Sequence, residues 1–337
     1  MDSDVHKQIK REYDIKRQRN IEFAKQKKDQ IYTENPKLEE IENKKHTLAI
    51  KSARIMLNSD EITRQIEAEN ISLKLSELEK KEITELKKIG LKKEDFEPHF
   101  ECNICKDTGI IKEDNKSKFC NCFVQAVINA TYKQSNMSKI EEENFETFDI
   151  CYYSKKSDKE KYGTTRTPME NIECIRGVAK HFCENIDSKE QKNLLFVGNT
   201  GLGKTFIANC IAKEVIDNGK TVVYQTAPIL MDKVIEYKFS YNKSGIQKEQ
   251  YDKIFEVDLL IIDDLGTETM SNVKFTELFN IINTRLLKNK KILISTNLTL
   301  NELYKEYDER VMSRLIGNFT ICKFIGDDIR LKKKRIK

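Results

Sequence analysis

One stretch limits the fold more than any other: Gly198-Asn199-Thr200-Gly201-Leu202-Gly203-Lys204-Thr205, which fits G-x-x-x-x-G-K-[ST]. It lies between an apolar run, LLFV, and an apolar-periodic run, FIANCIAKEVI. The order matters physically. A strand delivers the chain, glycines let the backbone curl so that successive N–H groups face one point, and the following helix adds the positive end of its dipole. Lys204 then reaches the β- and γ-phosphates and Thr205 offers a hydroxyl to Mg²⁺, with Phe206 opening the helix. At average composition, a chain of this length matches the pattern by accident on the order of once in a hundred times. The spacing therefore predicts a nucleoside triphosphate site.

Two more segments carry the polar ends such a site needs. Leu259-Leu-Ile-Ile-Asp263-Asp264 reads as a buried strand ending in acids at the sheet edge where ligands bind. Asp263 is expected to hold Mg²⁺ and Asp264 to polarise the attacking water. Asp is one methylene shorter than Glu, so slow hydrolysis is expected. Ile292-Leu-Ile-Ser295-Thr296-Asn297 is a third strand with a polar end, where Asn297 orients water or meets the γ-phosphate. Arg310 and Arg314 follow at i and i+4, on one helix face. They read either as surface ion-pairing residues or as an arginine finger for a neighbouring subunit's site. From Asn193 onward, strand-like runs alternate with helical ones (LLFVG, TVVYQT, DLLIIDD, KILISTN, TICKF), which predicts a parallel α/β sheet covered by helices on both faces.

The rest of the chain has a different texture. All twelve glycines lie at position 90 or later, and residues 1–90 carry 20 basic and 18 acidic side chains. Few breakers and mixed charge favour long helices. Ile41, Leu48, Ile55 and Ile62 recur every seven residues as one helical stripe, and polar Lys44, Lys51 and Asn58 at the companion positions favour a hairpin or small bundle over a coiled coil. Residues 91–135 hold Cys102-x-x-Cys105 and Cys120-x-Cys122, close to structural zinc spacing, with His99 an alternative ligand and free thiols or an iron–sulfur cluster the competing readings. Residues 136–190 form a polar connection with NFETFDI and a helix after Thr167-Pro168, and residues 191–337 the α/β core. The final RLKKKRIK reads as a solvated basic end. A net charge of +5 is too small to name a partner. With no apolar span of membrane length and no apolar leader, a cytoplasmic protein is expected.

Taken together, VGNTGLGKTF, LLIIDDLGTE, LISTNL and ERVMSRLIG over about residues 145–326 resemble the DnaC/DnaI-type replicative helicase loaders, a branch of the AAA+ ATPases. The cysteine module resembles the N-terminal zinc domain of the longer loaders. The resemblance implies an AAA+ sheet with a central phosphate-loop strand and ATP bound at an interface between copies of the chain. It also implies an N-terminal region that grips the hexameric helicase. It assigns Asn297 to the sensor position and makes Arg314 the finger, with Arg310 its neighbour. Single-stranded DNA is expected along channel-facing helices, with Phe239, Lys274 and Phe275 at the corresponding places. Only 23 residues follow Arg314, too few for the helical lid of most AAA+ proteins, and Arg330 is the one candidate for a sensor-2 role. Two rivals remain: an IstB-type transposition helper ATPase on duplex DNA, and a nucleotide-switched adaptor with negligible turnover.

Overall fold

The computed structural model describes residues 4–58, 61–113, 116–131, 139–239, 245–268 and 271–331. The chain divides into two units, residues 10–111 and residues 1–9 with 112–337. Helices α1 (Asp4–Glu34), α2 (Pro36–Asn58) and α3 (Glu61–Lys88) account for most of the glycine-free region. Tyr32, Leu38 and Leu86 form a small buried cluster there, with Leu91 and Phe96 against it. The seven-residue stripe does not stay on one helix: α2 ends at Asn58 and Ile62 belongs to α3. Residues 59 and 60, between the two, lie outside the described residues.

Strands β1 (Ile110–Glu113) and β2 (Lys116–Phe119) form a two-stranded sheet, and α4 (Asn121–Thr131) follows. Next come α5 (Lys159–Tyr162) and α6 (Pro168–Glu184). The start of α6 matches its sequence signal: the Thr167 side chain accepts from Glu170 N and Glu170 reaches back to Thr167 N, with Pro168 in the first turn.

The core alternates as its sequence predicts: β3 (Asn193–Val197), α7 (Lys204–Asp217), β4 (Val222–Thr226), α8 (Ala227–Phe239), α9 (Gly245–Glu256), β5 (Leu259–Leu265), α10 (Asn272–Leu287), β6 (Lys291–Thr296), α11 (Leu300–Glu306), α12 (Glu309–Asn318) and β7 (Phe319–Lys323). The five strands are parallel in the order β4-β5-β6-β3-β7. The phosphate-loop strand β3 is thus interior but fourth of five rather than central. Successive residues face opposite sides, so each strand feeds two cores. Leu195, Val223, Leu260, Ile262 and Ile294 pack with α8, α10 and α12. Leu194, Phe196, Tyr224, Ile261 and Leu293 pack with α6 and α7. The outer edge of β4 is covered by α4, whose Gln125 amide donates to Val222 O (3.0 Å) and accepts from Val222 N (2.7 Å), as a neighbouring strand would. Among the described residues, only a loop and a helical turn beginning at Ile329 follow β7, and residues 332–337 of the basic tail lie outside them.

Candidate nucleotide site and cysteine cluster

The C-terminal ends of β3, β5 and β6 meet around a cavity of about 410 Å³. The loop from Gly198 to Gly203 takes conformations that side chains resist: Gly201 has φ 79° and Gly203 φ 91°. A Cβ at Gly198 would come within 2.7 Å of the Phe324 backbone oxygen, so this glycine is required by space, while Gly201 and Gly203 are required by angle. Lys204 opens α7 and donates to Gly198 O (2.6 Å), Asn199 O (2.8 Å) and Asn297 Oδ1 (2.8 Å). Burial lowers its pKa to about 8, against the pull of Asp264 and Asp263.

Asp263 is buried at the end of β5 and gathers donors. Tyr224 Oη donates to its Oδ2 (2.9 Å), Thr205 Oγ1 to the same oxygen (3.2 Å), and Ser295 Oγ to its Oδ1. A carboxylate beside a hydroxyl at the mouth of a phosphate loop is the oxygen donor set that Mg²⁺ takes, so these residues fit the ion. Asp264 follows in a left-handed conformation, φ 55°, half-buried, with Asn297 Nδ2 donating to its Oδ1 (3.2 Å). Burial, then the neighbouring Asp263, raises its pKa. Asn297 therefore links the loop lysine to the second acid through one side-chain amide.

Several cavity residues escaped the sequence reading. Tyr153 Oη donates to Leu202 O (3.1 Å), and Phe148 sits edge-on to Phe206 with ring centroids 5.8 Å apart. Glu143 accepts from Asn209 Nδ2 (2.6 Å). All three come from the segment read as a polar connection. The only signal was its aromatic spacing in NFETFDI and CYY, which does not say what the rings touch. Arg330 lies at the cavity, its Nη2 2.9 Å from Thr200 Oγ1 and its guanidinium paired with Asp328.

Arg310 and Arg314 are not among the residues lining this cavity. They stand one turn apart on α12, their guanidinium carbons 5.5 and 5.9 Å from the centre of the Phe279 ring. Phe239 ends α8 and is 68% exposed. Lys274 pairs with Asp232 at 3.0 Å, and Phe275 packs on the core edge-on to Tyr307.

The sulfurs of Cys102, Cys105, Cys120 and Cys122 lie within 4.8 Å of one another, and His99 is not part of this group. Tetrahedral Zn–S bonds of about 2.3 Å place sulfurs about 3.8 Å apart, so the cluster fits such an ion. The Cys102–Cys105 turn is built for it: Lys106 N donates to Cys102 O (2.9 Å), Lys106 and Asp107 both have positive φ, and buried Asp107 accepts from Cys102 N (2.8 Å).

A five-stranded parallel sheet with this phosphate loop, two acids on the next-but-one strand and a polar residue ending the strand between defines an ATP-binding protein of the AAA+ type. The chain belongs to the family of IstB-like ATP binding proteins, whose profile matches residues 167–336. The replicative helicase loader DnaC of Escherichia coli (strain K12) is 30% identical over 154 residues, 45% of this chain and 61% of that protein. DnaC of Buchnera aphidicola subsp. Baizongia pistaciae (strain Bp) is 28% identical over 155 residues, 46% and 62%. The match thus spans about three-fifths of these relatives' length. A crystal structure of the DnaC helicase loader is similar over 56% of this chain and 99% of that one, at 20% identity and a TM-score of 0.43. No helix among the described residues is long and apolar enough to cross a membrane.

Proposed function

We propose that the chain is an ATP-dependent loader that places a hexameric replicative helicase on single-stranded DNA, acting in the cytoplasm. The observation that carries this reading is the 154-residue likeness to DnaC, beside an ATP site whose residues gather around one cavity. Gly198 to Phe206 cradle the phosphates, with Lys204 neutralising them; Thr205 and Asp263 hold Mg²⁺. Asp264, held by Asn297, polarises the attacking water, and its short side chain keeps hydrolysis slow. Arg314 of a neighbouring copy supplies the transition-state cation, so ATP holds the assembly together and hydrolysis releases it. The cysteine module binds Zn²⁺ and, with the N-terminal helices, grips the helicase. Phe239 is exposed for stacking on a base, and Lys274 meets phosphate by exchanging Asp232 for it. Phe275 supports that surface from beneath, as its packing against Tyr307 implies.

Native mass spectrometry of the chain with its host's replicative helicase, ATP and Mg²⁺ tests the reading. A defined complex with the helicase hexamer is expected for the wild type and not for Cys102→Ser. No complex, with ATP binding intact, overturns it. The family match keeps a transposition helper as the second reading; stable coating of duplex rather than single-stranded DNA in the presence of ATP would select it.

A further inference from the structure

We propose that Phe279 is a positioning residue for Arg314: with Asn283 it forms a cradle on α10 that presents the Arg314 guanidinium to the ATP site of a second copy of the chain. This deepens the ATPase reading above and rests on it. Phe279 and Asn283 are one turn apart on α10, as Arg310 and Arg314 are on α12, so the two helices face each other with matched spacing. Both guanidinium groups lie within 6 Å of the same ring, the range in which its negative face attracts a cation.

The two arginines are not equivalent. Arg310 donates through Nε and Nη2 to Asp308 Oδ2 (3.0 and 2.8 Å), and that carboxylate also caps α12 through Val311 N. Its charge is therefore already matched. Arg314 donates only Nε, to the neutral Asn283 Oδ1 at 3.1 Å, and makes no ion pair among the described residues. Ring and amide thus fix the inner side of the guanidinium without neutralising it. The Nη fork, the part that meets phosphate oxygens in pairs, is left for an outside ligand. Arg314 does not line its own chain's cavity, which leaves the fork available to the second copy that the proposed function calls for.

Steady-state ATP hydrolysis by the full chain with Mg²⁺ and a single-stranded oligonucleotide tests this. Arg314→Ala is expected to lower kcat on the order of 10³-fold; an unchanged kcat would overturn the ATPase reading on which the cradle rests. Phe279→Leu keeps an apolar side chain there but loses the ring, and is expected to lower kcat about fivefold, the factor given by about 1 kcal/mol of lost ring–cation attraction, with KM for ATP unchanged. Phe279→Tyr recovers most of the loss, and Asn283→Ala reproduces it without touching the core. A merely structural effect is separated by mixing. Lys204→Ala chains, inactive in their own site but with an intact arginine, should raise the turnover of Phe279→Leu chains more than twofold. Loss of activity in Arg314→Ala with none in Phe279→Leu, or a Phe279→Leu defect that the added chains leave unchanged, overturns the cradle.

Discussion

Lys204 is a buried cation whose pKa of about 8 makes nucleotide binding sensitive to mild alkali. Burial lowers the value, so the ammonium loses its proton above about pH 8, and a triphosphate that needs the charge must restore it on binding. The dissociation constant for a non-hydrolysable ATP analogue, followed by fluorescence from pH 6.5 to 9.5, is therefore expected to stay level to about pH 8. Above it, the constant should rise by up to about tenfold per unit. A flat profile would show that Lys204 is not the group that meets the phosphates. Asp264 invites a second test. Its φ of 55° lies where Asp and Asn are tolerated and longer side chains are strained. Asp264→Asn should keep the fold and ATP binding while abolishing hydrolysis. Asp264→Glu should raise single-turnover hydrolysis severalfold and cost about 1 kcal/mol in urea-measured stability. The residues just named were legible in the sequence because the motif spacing is local. Tyr153, Phe148 and Glu143 were not, since their partners Leu202, Phe206 and Asn209 lie 49, 58 and 66 positions further on, and only tertiary packing says where they land.

At the level of elements, the strands were readable because each is a short apolar run that must be covered on both faces, and the polar residues ending them mark the site edge. What sequence periodicity did not supply is how α10 is fastened. Arg285 falls near its end in an otherwise apolar stripe and is completely buried. Its guanidinium donates to Ile254 O (2.7 Å), Val257 O (3.0 Å) and Lys291 O (2.6 Å), with Asp258 O at 3.4 Å. One side chain thus ties α10 to the end of α9 and to the starts of β5 and β6. Burial lowers its pKa to about 9, with Asp258 opposing the fall. Arg285→Met keeps the stem but orphans these carbonyls, and should destabilise this unit by about 3 kcal/mol in urea unfolding, with Arg285→Lys recovering little because one ammonium cannot serve four acceptors.

Across the whole molecule, the two units answer to different chemistry, and that gives a way to observe them separately. In residues 10–111 the pivotal group is Glu82, 3% exposed. Burial pushes its pKa up, but hydrogen bonds from Lys45 (2.6 Å), Tyr32 (2.6 Å) and Lys93 (3.0 Å) outweigh that and hold it at about 2. A carboxyl depressed in the folded state stabilises that state above its unfolded value, and the contribution is lost as pH falls from about 4.5 through about 2. The amount at neutral pH is on the order of 3 kcal/mol. Circular dichroism during acid titration should therefore show helix lost across that window. Glu82→Gln, neutral at every pH, should flatten the loss across that window and lower the stability of the helices at pH 7. ATP with Mg²⁺ should not protect them, because the phosphate loop, the acids and Asn297 all belong to the other unit. Only that unit's thermal transition should rise with nucleotide, by the mass-action amount set by the ratio of ATP to its dissociation constant. If nucleotide moved the acid transition of the wild type as far as it moves the thermal one, the helices would have to share in nucleotide binding, and Glu82 could not be the group that governs their loss.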